Sequence, residues 1–100
     1  MSDDVQRRLP ELRARIDALD DVIVSALTDR FDCALEVGAH KGADVRDNAR
    51  EAEVLARVER LATELGGDGA AIRSIYVLIV QHSREMQRWH AIDEPAPPMR

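Results

Sequence analysis

Arg30, Glu51, Ser83 and Gln87 each occupy a seat where the surrounding hydrophobic rhythm calls for Leu, Ile or Ala. A core built only for stability would not put them there, because buried charge left without a partner is strongly destabilising. Polar residues on the inward stripes of three helices point to an internal cavity with a polar, anionic guest. Arg30 and Lys41 are eleven positions apart, close to three whole helical turns, so they share a face, with Ala34 and Val37 leaving room between them. Arg50 and Glu51 open a second helix, and Ser83 and Gln87 are one turn apart on a third. The set offers cations for carboxylates, a carboxylate for a hydroxyl or a cation, and neutral donors for an ether or hydroxyl oxygen. None of these groups is an activated nucleophile. The sequence has no His/Cys/Asp cluster at metal-ligand spacing and no glycine-rich loop leading into a helix as a phosphate cradle. The chemistry expected is the binding of a polar, anionic guest by fixed cations and neutral donors.

Three helices must position these groups. Leu9, Leu12, Ile16, Leu19, Ile23, Ala26, Arg30, Cys33, Val37 and His40 recur at alternating steps of three and four, a heptad-like seam from about Leu9 to about Lys41. Pro10 suits an early helical position, where its missing N–H does no harm; Asp3 or Asp4 are alternative caps, and Gly42 is the expected stop. The second helix is expected to begin near Asp47 or Asn48, with Glu51, Val54, Leu55, Val58, Leu61, Ala62 and Leu65 along its stripe. Gly66-Gly67-Asp68-Gly69 breaks it. The third carries Ile72, Ile75, Tyr76, Ile79, Ser83, Met86, Gln87 and His90 on one face. Residues 1–92 form one all-α domain on this reading, and 93–100, with Pro95, Pro97 and Pro98, a disordered tail. A first helix of that length spans roughly 48 Å, whereas a compact chain of this size has a radius of gyration of about 13 Å. Two shorter helices cannot cover both ends of the seam, so a second copy is expected to complete an intertwined helical homodimer.

The bulk composition narrows the partners. A formal net charge of −5, with no basic run interleaved with aromatics, argues against general nucleic-acid binding. With aromatics at 3% and hydrophobic residues at 45%, the core is one of Leu, Ile, Val and Ala, which suits helices. Cys33 is the only cysteine, so there is no intrachain disulfide. No apolar signal stretch opens the chain and nothing approaches the roughly 20 apolar residues of a membrane span. These features lead to the expectation of a cytoplasmic protein that does not bind membranes.

The residues also resemble a family. Leu12-Arg13-Ala-Arg-Ile16-Asp17-Ala-Leu19-Asp20 is similar to the opening of the all-helical (AroQ) class of chorismate mutases, as are Asp29-Arg30 and Glu36-Val37-Gly38-Ala-His-Lys41. Val45-Arg46-Asp47 and Arg50-Glu51 resemble the start of that family's second helix, and Ile79-Val80, Ser83 and Gln87 its third. The similarity runs from about Leu9 to Gln87. It implies an isomerase of the shikimate pathway, serving aromatic amino acid biosynthesis, that turns chorismate into prephenate by a concerted Claisen rearrangement. It also implies a homodimer with two sites and no cofactor. Carried over by residue, Arg30 and Lys41 would hold substrate carboxylates, with Arg13 contributed by the other chain. Lys41 and Gln87 would meet the ether oxygen, where charge builds as the C–O bond breaks. Asp47, through its backbone, and Glu51 would hold the ring hydroxyl, and Arg50 and Ser83 would complete the polar wall. Lys41, Gln87 and Arg30 would thus be the catalytic groups.

Two departures from the family pattern bear on substrate choice. The connection from Lys41 to Arg50 is shorter than in the familiar bacterial members, and Arg84 stands where they often have a small apolar residue, either adding a cation near the pocket or pointing to solvent. Simpler roles compete for several positions. Arg30 could be a structural ion-pair partner, Lys41 a helix-end cation, Asn48 and Glu51 a capping box, Arg50 a solvated residue and Asp47 only a cap. His40, His82 and His90 read as surface or rim residues and Cys33 as a small core residue. Within the same fold, a 4-amino-4-deoxychorismate mutase and an isochorismate–pyruvate lyase are the alternatives. Glu51 and Ser83 favour a mutase over the lyase, but Glu51 could bind an ammonium as well as a hydroxyl. A non-catalytic dimerising or regulatory module is the alternative of another class, and it would need neither Arg30 nor Gln87. Small members of the family can also depend on a partner enzyme for full activity.

Overall fold

The computed structural model describes residues 2–41 and 47–93, and their side chains except at 2, 3, 5, 41 and 90–93. Helix α1 runs Ser2–Lys41, α2 Asn48–Glu64 and α3 Gly69–Asp93, and no strand occurs among the described residues. The all-α class and the count of one long and two shorter helices follow the sequence reading. The stop at Gly42, the connection through Arg46 and the Pro-rich stretch from residue 94 lie outside the described residues. The chain divides into two units, Met1–Asp32 and Cys33–Arg100.

The first unit is helical, and it begins earlier than expected. Pro10, which suits an early helical position, stands well inside α1. Having no N–H, it gives nothing to the Gln6 carbonyl. Both residues are exposed, so water can take that acceptor. The added turns are held on the surface by Arg7, whose Nη2 lies 3.0 Å from Asp4 Oδ1, and by Arg8 with Glu11 at 3.7 Å. Acidic side chains near the start also favour the positive end of the helix dipole. Leu9, Leu12, Ile16, Leu19 and Ile23, the apolar seam of this unit, are all exposed in the single chain, Ile16 and Ile23 by more than half (55% and 53%).

The second unit holds the end of α1 together with α2 and α3. Asp47 caps α2 in extended geometry (φ −133°, ψ 90°), its Oδ1 accepting the Arg50 N–H at 3.0 Å. The cap is therefore Asp47, and the capping box considered for Asn48 and Glu51 is not the arrangement found. At the other end the Gly66 and Gly67 N–H groups return to the Thr63 and Ala62 carbonyls at 3.0 and 2.8 Å. Gly66 has φ +84°, the left-handed conformation that makes glycine the natural helix stop. Asp68 then caps α3, its Oδ1 accepting from the Ala71 N–H at 3.0 Å. Val58 and Ala62 of α2 and Ile79 and Val80 of α3 are the buried apolar residues among those described. An ion pair from Arg73 to Glu59, at 3.2 Å, ties the two helices near the turn. Cys33, expected in the core, is exposed, because the seam it belongs to has no cover in the single chain.

Candidate active site

Gln87 sits on α3 directly over the end of α1. Its Nε2 donates to the Ala34 carbonyl at 2.5 Å. The amide can lie there because position 38 is glycine. A Cβ on Gly38 would fall 2.9 Å from Gln87 Cγ and 3.1 Å from its Cβ, closer than side chains tolerate. Gly38 is buried and has an ordinary helical φ, so its role is close approach and not backbone freedom. One Nε2 hydrogen is thus committed to the scaffold, which fixes the amide plane, and the other remains a donor.

One turn before Gln87 on α3, Ser83 is buried and donates to the Ile79 carbonyl of its own helix at 2.8 Å. Its hydroxyl proton is therefore engaged within α3. Arg84, the next residue, resolves one alternative left by the sequence. It does not point to solvent: its Nε donates to Glu51 Oε2 at 3.2 Å, across from α3 to α2. Both side chains are mostly buried, 18% and 21% exposed. Glu51 thus keeps its inward seat and acquires a cation from this chain.

The other expected site residues are distributed as follows. The Asp47 side chain is the α2 cap and its carbonyl accepts the Glu51 N–H at 3.0 Å, which fixes the start of the turn that carries Glu51. Arg50 points outward, with its Nη1 on Glu53 Oε1 at 2.5 Å and both side chains largely exposed. Lys41 is the last residue of α1, and its side chain lies outside the described residues. Arg13 and Arg30 belong to the first unit, where Arg13 is exposed and Arg30 half-buried. His82 is a surface residue, its Nδ1 3.6 Å from Glu85. No group of three or more His, Cys, Asp or Glu side chains among the described residues is placed to hold a metal ion. No helix among them is long and apolar enough to cross a membrane.

Sequence reasoning missed Gly38 as part of this arrangement, and for Arg84 it left two orientations open, of which the structure shows the inward one. A lone glycine inside an unbroken helical pattern was the available signal for the first, since such a residue costs helix stability unless something packs on it. For Arg84 the signal was a long cation beside the buried-stripe residue Ser83.

The described residues of the second unit are helical and hold a fixed amide, a buried hydroxyl and a paired carboxylate. The model of the family described as chorismate mutase type II matches residues 12–88. The chain belongs to that family and is an enzyme of the isomerase class. A 4-amino-4-deoxychorismate mutase of Streptomyces pristinaespiralis is 33% identical over 87 residues, covering 83% of this chain and 67% of that protein. A chorismate mutase of Methanocaldococcus jannaschii is 26% identical over 84 residues, covering 81% of this chain and 85% of that one. No solved structure matches the chain.

Proposed function

We propose that this protein converts chorismate to prephenate in a cation-lined pocket, without covalent catalysis and without a cofactor. The observation that carries the reading is Gln87: a neutral amide locked in place by Ala34 and Gly38, with a second N–H left to donate. In the rearrangement the ether C–O bond breaks as the new C–C bond forms, and negative charge grows on the ether oxygen. A donor already oriented stabilises that charge at no further reorganisation cost. Lys41 would be the second donor. Arg30 and Lys41, with Arg13 of a second copy, would fold the flexible dianion by gripping its carboxylates, for which the guanidinium fork is suited. Glu51 and the Asp47 backbone would hold the ring hydroxyl, and Ser83 and Arg50 would border the pocket.

A homodimer is part of this reading. The exposed seam Leu9, Leu12, Ile16, Leu19 and Ile23, together with a buried core as small as Val58, Ala62, Ile79 and Val80 among the described residues, leaves more apolar surface uncovered than a stable monomer exposes. A second copy, with the same seam, covers it. We place the enzyme in the cytoplasm, on the shikimate route to aromatic amino acids. The relative from Streptomyces pristinaespiralis supports a second reading, in which the 4-amino analogue is the substrate. Purified protein incubated separately with chorismate, isochorismate and 4-amino-4-deoxychorismate, with a chelator present and products separated by chromatography, tests the assignment. Prephenate from chorismate at an undiminished rate is expected. Pyruvate as the main product, or loss of activity on metal removal, contradicts it.

A further inference from the structure

We propose that Arg84 sets the substrate choice of this enzyme, by neutralising Glu51 and so selecting a ring hydroxyl over a ring ammonium. The inference rests on the proposed activity and names which of the two related substrates the site takes. The two candidates differ, as their names state, in bearing a hydroxyl or an amino group at one ring carbon. A primary alkylamine is protonated at neutral pH, so the choice is between a neutral donor and a cation.

A carboxylate alone serves both, and better the cation, because a buried negative charge wants a full counter-charge. Here the counter-charge is supplied by the chain itself. Arg84 Nε lies 3.2 Å from Glu51 Oε2, and the pair is mostly withdrawn from water. The bond uses one carboxylate oxygen and leaves Oε1 as an acceptor, which is all a hydroxyl requires. An ammonium on Oε1 would share a single carboxylate with the guanidinium, placing two cations against one anion in a poorly hydrated site. Such like-charge juxtaposition is what separates correct from incorrect ligands at charged interfaces.

The test measures kcat/KM for chorismate and for 4-amino-4-deoxychorismate with the wild type and with Arg84→Lys, Arg84→Met and Arg84→Val. The wild type and Arg84→Lys, which keeps the charge, are expected to prefer chorismate. Arg84→Met and Arg84→Val free the carboxylate and should move the ratio about tenfold or more toward the amino substrate. A merely structural Arg84 would lower both values together and leave their ratio alone, and that outcome overturns the proposal. A wild type that prefers the amino substrate overturns it without any variant, so a failure of the apolar variants to fold does not shield it. Turnover of neither substrate by the wild type overturns the proposed activity itself; turnover with an unchanged ratio overturns only the role of Arg84.

Discussion

Replacing Gly38 by Ala separates stability from catalysis. The added methyl would stand 2.9 Å from Gln87 Cγ, 3.1 Å from Cβ and 3.5 Å from Cδ, where ordinary contact begins at 3.4 Å. The nearest of these must open by about half an ångström, and the atoms that move are those carrying the amide. The hydrogen bond to the Ala34 carbonyl then lengthens or turns, and the free N–H loses its aim. In stability two effects oppose each other. Alanine is favoured over glycine in a helix by about 0.8–1 kcal/mol, and overpacking a close contact costs typically about 1–3 kcal/mol. The net destabilisation should be no more than about 2 kcal/mol, readable in a denaturant titration. Turnover should fall as well, by about tenfold, since a full ångström of misplacement at a reacting centre costs on the order of 10²-fold. In a Gln87→Ala background the 2.9 Å contact no longer exists, so Gly38→Ala should lose most of its penalty. A double-mutant cycle should then show coupling of about 0.5–3 kcal/mol. A Gly38→Ala enzyme that is more stable than wild type and turns over normally would refute the idea that this glycine seats the amide.

Asp47→Ala removes the α2 cap and should cost about 1 kcal/mol in thermal or denaturant unfolding, without abolishing the fold. A larger effect on turnover than on stability would indicate that the start of α2 positions Glu51 for the substrate. Arg13 and Arg30 are seventeen residues apart on one helix, about 25 Å along its axis, so one substrate cannot bridge both within a chain. In the proposed homodimer, the Arg13→Ala and Arg30→Ala proteins should each be nearly inactive. Refolded together in equal amounts, they should recover roughly a quarter of wild-type activity, because half the dimers are mixed and each mixed dimer has one intact site. Near-normal turnover by Arg13→Ala alone would rule out a shared site.

The elements were legible in the sequence where local chemistry defines them. Asp47 ahead of α2 and Gly66 after it are end signals read from single residues, and both act as expected in the structure. The start of α1 was not, because Pro10 marks helix beginnings as a rule and here lies on an exposed side where the missing bond is tolerated. Ser83 and Glu51 in apolar seats were visible as polar residues out of phase, and the structure keeps them inward. What satisfies them was not visible. Arg84 and Glu51 are far apart in the chain, and only the pairing of α2 with α3 brings guanidinium to carboxylate. The same holds for Gly38, whose purpose appears only once Gln87 lies over it. Arg50 is the reverse case: it sits beside Glu51 in sequence, but the helical turn sends it outward to Glu53.

The central claim is that a neutral amide at position 87 donates to the oxygen on which charge develops, and the pH dependence of Gln87→Glu tests it most directly. Gln87→Ala should first establish the scale, cutting turnover by about 10²–10³-fold, as loss of one transition-state donor does. A glutamate in the same seat can donate only when protonated, and its single O–H must then serve the ether oxygen and not the Ala34 carbonyl, so its activity belongs to the acid side and is lost as pH rises through the carboxyl pKa, ordinarily about 4.3. The wild-type amide does not titrate, so its rate should show no such fall across the same range. Turnover of chorismate by Gln87→Glu that climbs steadily toward acid pH while wild type stays level is the predicted result. A variant profile as flat and as fast as wild type would contradict the account.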